Sequence, residues 1–174
     1  MATFRRARYL VLLISLMVGN TGLATAQEET PAIEIVDWGL TSAKEVGSEV
    51  SPDTPTGLNR LVEGPVNVTR TENIHACIGT SFGVLYEASD IGDTGVLPIS
   101  VVVLHPLIRT PDGRSMQKSS WPDSAVQQQR YAGWVFERDF ELVSGAWTIS
   151  LRDLSGKELA AKSFKVIAGN CPIS

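Results

Sequence analysis

The stretch from Tyr131 to Ile167 restricts the fold more than any other part of the chain. Trp134, Phe136, Phe140 and Leu142 share one parity, with Arg138 among them, while Glu137, Asp139 and Glu141 share the other. Successive side chains of a strand point to opposite faces, so this run reads as a strand with one apolar and one acidic face. Ser144-Gly145 marks a turn. Ala146 to Arg152 then puts Trp147, Ile149 and Leu151 on one face, and Thr148, Ser150 and Arg152 on the other. Ser155-Gly156-Lys157 turns the chain again, and Glu158 to Ile167 ends with Phe164 and Val166 on one face. Three half-apolar strands at short spacing predict an antiparallel meander, whose apolar face needs a second sheet to cover it. The expected class is therefore an all-β, antiparallel β-sandwich.

The start of the chain reads as a targeting segment. Arg5, Arg6 and Arg8 form a basic region, Leu10 to Val18 an apolar one, and Ala24-Thr25-Ala26 a small-x-small cleavage site. Together they predict a secretory signal peptide over 1–26, cleaved before Gln27, with 27–174 as a single β-sandwich domain. The apolar run is too short to span a bilayer, so no membrane insertion is expected after cleavage, and the destination is the periplasm or the medium. The leader holds three of the 15 cationic residues and none of the 19 acids, which takes the net charge from −4 to −7. An acidic chain without a basic cluster argues against nucleic acid or anionic lipid as a partner.

Between leader and meander, Ala32 to Trp38 alternates and predicts a first strand. Gly39 to Pro55, rich in Gly, Ser, Thr and Pro, predicts a loop or edge with a short strand near Glu45 to Val50. Leu58 to Val62 and Val66 to Ile74 read as two strands split by Gly64-Pro65. Val96 to Leu104, with Val101, Val102 and Val103 adjacent, predicts a central strand buried on both faces. Pro111-Asp112-Gly113 is a turn. Met116 to Gln129 shows no strand or helix period and predicts a long irregular loop.

Several landmarks together resemble a family of small exported bacterial proteins catalogued as a domain of unknown function (3859). They are Ile35-Val36-Asp37-Trp38-Gly39, Gly79-Thr80-Ser81-Phe82-Gly83, His105-Pro106 with Pro111-Asp112-Gly113, and the 133–166 segment. Gly145 to Leu151 with Gly156, Leu159, Phe164 and Val166 is similar to the terminal hairpin of exported immunoglobulin-like domains. The resemblance implies an immunoglobulin-like sandwich and carries no activity with it.

Candidate chemistry is sparse. Cys77 and Cys171, two cysteines in an exported chain, predict one disulfide. No nucleophile elbow, phosphate loop or zincin motif is present, no cofactor is expected, and an exported hydrolase is the least supported reading. The preferred reading is a non-catalytic module that binds a protein or an envelope component. Its expected contact is the 115–129 loop, through Trp121, Pro122 and Gln127, because binding residues gather on long loops of rigid sandwiches. The alternative is a copper or zinc protein using His75, His105 and Met116, whose spacing specifies no metal.

Overall fold

In a computed structural model, residues 31–169 and 171 are described; residues 1–26, read above as a signal peptide, lie outside them. Nine strands follow in chain order: β1 (Ala32–Val50), β2 (Leu58–Arg70), β3 (Asn73–Ala76), β4 (Ser81–Ser89), β5 (Val96–Arg109), β6 (Ser115–Val126), β7 (Arg130–Val135), β8 (Gly145–Arg152) and β9 (Glu158–Ala168). They form two sheets, one ordered β2-β1-β4-β7 and the other β3-β9-β8-β5-β6. The class is the expected one, an all-β sandwich of mostly antiparallel strands, with the short parallel β3–β9 pair as the exception.

The core sits between the two inner faces. Trp147, Ile149 and Leu151 of β8, Phe164 and Val166 of β9, and Val101 and Val103 of β5 come from one sheet. Phe82, Val84 and Tyr86 of β4, with Ala132 and Trp134 of β7, come from the other. Trp147 is at its centre, edge-on to Phe82, Phe136 and Trp134. Its Nε1–H donates to Val143 O at 3.1 Å, which gives the one polar atom of a buried ring its partner. Val102, on the outer face of β5, is also buried, as its run of valines implies. The Cys77–Cys171 disulfide is present, with Cα atoms 5.6 Å apart, and ties the end of β3 to the chain beyond β9.

The sequence expectations fail at four places, each for a local physical reason. The first is the 131–142 strand, which stops at Val135. The chain then makes a 3₁₀ turn at Asp139–Glu141, because the Glu141 carboxylate accepts hydrogen bonds from Glu137 N (2.9 Å) and Arg138 N (2.8 Å). This removes the acidic strand face: Glu141 is buried, Asp139 is exposed and Glu137 lies between. It also breaks the meander, since β7 pairs with β4 in the opposite sheet, and of the three strands expected there β8 and β9 alone form a hairpin. Second, the loop expected over Gly39–Pro55 is confined to its end: β1 runs unbroken to Val50, with bulges absorbing its irregular composition, and residues 51–57 form the turn to β2. Third, Gly64-Pro65 does not divide β2, because β2 is an edge strand and an edge tolerates proline. Fourth, Ser115–Val126 is strand β6, not an irregular loop. It pairs along β5 from Val96↔Val126 to Arg109↔Ser115, and Pro122 is again accommodated at a sheet edge.

A candidate groove between two sheet edges

The first half of β1, Ala32–Leu40, pairs with β4; from Thr41 to Val50 it pairs with β2 alone. The outer half of the β1–β2 hairpin is thus an arm that leaves the sheet. The departure point is Gly39, whose φ of 146° suits glycine and where a Cβ would collide with the Thr69 carbonyl. Three attachments hold the arm. At its base, Thr41 Oγ1 lies 2.8 Å from Ser81 Oγ and 3.0 Å from the Tyr131 hydroxyl. The Tyr131 ring covers the facing pair Gly83↔Gly133, and a Cβ on either glycine would strike it. In the middle, the Arg60 guanidinium of β2 bridges Glu45 on β1 and Glu137 just past the end of β7. At the tip, Ser120 N of β6 donates to Asp53 O (3.1 Å), and Arg114 donates to the carbonyls of Pro52 (3.2 Å), Thr54 (3.3 Å) and Pro55 (3.1 Å). Asp112, hydrogen-bonded by Thr110 and Arg114 and so held down to a pKa of about 2, keeps that guanidinium in place at 2.8 Å.

The arm encloses a groove of about 970 Å³. Its walls are consecutive residues, Leu58–Val66 of β2 and Gln129 with Arg130–Val135 of β7, together with Thr41 to Ala43, Glu45 and Glu49 of β1, and Trp121 to Ser124 of β6 at one side. Glu141 lines the end near Glu137. Burial raises its carboxyl to a pKa of about 7, against the two backbone donors that favour the anion. Trp134 also lines the groove, and its Nε1 is the only buried side-chain polar atom among the described residues without a hydrogen-bond partner.

The residues singled out from sequence scatter. Trp121 is 8% exposed and packs in the core from strand β6, not from the loop expected over 115–129. The reason is its place in the β5 register opposite Val101, which turns it inward. Pro122 is exposed and reaches the groove, while Gln127 lies in the exposed turn between β6 and β7, outside it. His75 is exposed on β3, and Met116 is on β6, at the opposite edge of the same sheet. His105 does not cap a surface turn. It is buried in a β5 bulge, 5.0 Å from the Trp147 ring and 5.7 Å from Trp134. Its Nδ1–H donates to Pro106 O (2.8 Å), which leaves Nε2 to accept from the Ser119 hydroxyl (3.0 Å). Both ring nitrogens are engaged, and burial lowers the pKa, so the ring is a neutral core group. Among the described residues no three His, Cys, Asp or Glu side chains are grouped to hold a metal ion. Arg60, Arg114, Tyr131 and Glu141 were not foreseen; Glu141, three residues after Arg138, carried the spacing of a capping carboxylate.

The model of a protein family described as a domain of unknown function (DUF3859) matches residues 29–166. The chain belongs to the DUF3859 family. This DUF3859 domain is also similar in structure to an immunoglobulin-like protein from Pseudomonas aeruginosa. The TM-score is 0.59 at 22% identity, over 81% of this chain and 99% of the other, a likeness that establishes the fold alone. No curated protein matches the DUF3859 chain. No helix among its described residues is long and apolar enough to cross a membrane.

Proposed function

We propose that this DUF3859 protein is an exported, non-catalytic interaction module of the periplasm, and that its recognition surface is the groove under the β1–β2 arm. The observation that supports this reading is the arm itself. It forgoes pairing with β4, is pinned at base, middle and tip, and holds open a groove of about 970 Å³ beside two strand edges. A sandwich that needed only stability gains nothing from such a gap, and built concave surfaces are where binding concentrates. The leader-like start and the disulfide support export. A photo-crosslinking residue placed at Leu61, in the groove wall, is expected to capture a defined periplasmic protein or envelope component in cells. The same residue at Leu154, in the exposed β8–β9 turn, is expected to capture none. Equal capture at both positions, or at neither, would remove the groove as the recognition surface.

A further inference from the structure

Resting on that reading of the groove, we propose what occupies it: an extended, cationic polypeptide segment of a partner, added as a strand between β2 and β7. The order β2-β1-β4-β7 makes these the two edges of one sheet, each hydrogen-bonded to a single neighbour. Yet unbroken runs of both, Leu58–Val66 and Gln129–Val135, line the same groove. Side chains of alternate parity point to opposite faces, so unbroken runs on both edge strands, with Thr41, Ser42 and Ala43 of β1 beside them, mean that backbone as well as side chains lines the groove. The sheet has therefore curled until its two edges face each other across a gap. The Arg60–Glu137 ion pair crosses that gap at one end. A span bridged by one arginine and one glutamate is of the order of two strand spacings, roughly 10 Å, which is the room one inserted strand requires. Free backbone donors and acceptors on both sides recognise main chain, the mode in which a peptide augments a sheet.

The lining also selects charge. Six carboxyl groups and two guanidinium groups face the groove; Arg60 is taken up by Glu45 and Glu137, and Arg130 by Asp123. The net field is anionic and favours a segment bearing Lys or Arg. A second copy of this chain, at net charge −4 with the leader and −7 without it, is the poorer occupant on the same ground.

The test uses the purified protein and synthetic peptides of about nine residues, the length of the longer wall run. One alternates Lys with Val, the second replaces every Lys by Glu, and the third is the Lys–Val peptide N-methylated at every second backbone nitrogen. The Lys–Val peptide is expected to slow amide exchange in both 58–66 and 129–135, and to weaken as salt is raised. The Glu and N-methylated peptides are expected to lose at least tenfold in affinity. Absence of binding at millimolar peptide, equal binding of the N-methylated form, protection of one edge only, or protection that follows self-association would each overturn the proposal. If the peptides fail while crosslinking at Leu61 still captures a partner, the strand is refuted and the groove stands. If they bind as expected while crosslinking fails, the inserted strand stands and the cellular role does not.

Discussion

His105 and Glu141 are buried ionisable groups with opposite consequences for stability. Glu141 has its carboxyl raised from 4.5 to about 7, so between these values the folded state holds a proton that the unfolded chain has released. Stability from this group is present below pH 4.5 and is lost as pH rises to about 7, by about 3 kcal/mol in all. Glu141→Gln retains an oxygen for the Glu137 and Arg138 amides. It is expected to unfold at higher denaturant than the parent at pH 8 and alike near pH 4. His105 has its pKa lowered from 6.5, so it costs stability as pH falls below 6.5, where the unfolded chain takes up a proton first. Urea midpoints measured from pH 4 to pH 8 are expected to rise more steeply with pH below 6.5 in Glu141→Gln than in the parent, because the opposing slope is gone. Trp147 is fully buried among three aromatic rings and His105. Trp147→Ala is expected to cost about 3–5 kcal/mol in denaturant unfolding; a loss near zero would contradict its central place.

The β1–β2 arm, which holds the groove open, is the least legible part of the sequence. Its strands were hidden because β1 and β2 are exposed edges beyond Leu40. There no core face imposes alternation, and bulges at 42–44 and 45–47 scramble what remains. The same cause concealed β6, whose inner row of Ser119, Trp121 and Ala125 includes a serine occupied by His105. The β8–β9 hairpin, by contrast, was read correctly residue by residue, because Trp147, Ile149 and Leu151 alternate with polar residues between two clear turns. The strand reading ran on past Val135 because Phe140 and Leu142 do pack on the core, but from a turn. At this scale Arg114→Ala removes the donors to three carbonyls of the arm tip. Amides of 51–57 are expected to exchange faster while those of β8 and β9 keep their rates, with a global loss of about 1–2 kcal/mol. Uniformly faster exchange would mean that the arm and the sandwich unfold as one unit.

For the whole molecule, the disulfide spans 94 residues. Its removal in the Cys77→Ser, Cys171→Ser double variant is expected to lower stability by about 2–5 kcal/mol, which thermal or denaturant unfolding would measure. The cross-link also decides how the molecule answers tension. The arm, β1 and β2 lie before Cys77, whereas β4 to β9 lie between the two cysteines. A pull applied between residues 31 and 171 passes through the covalent bridge and never loads the segment between. Stretching can pay out only the 46 peptide units from residue 31 to residue 77, about 160 Å, against about 490 Å once the bridge is reduced. Force that enters through β2 thus hauls on the part of the chain free to peel, while the hairpins of the core remain slack behind a molecular shunt; force that enters through β7 bears on the cross-linked segment itself.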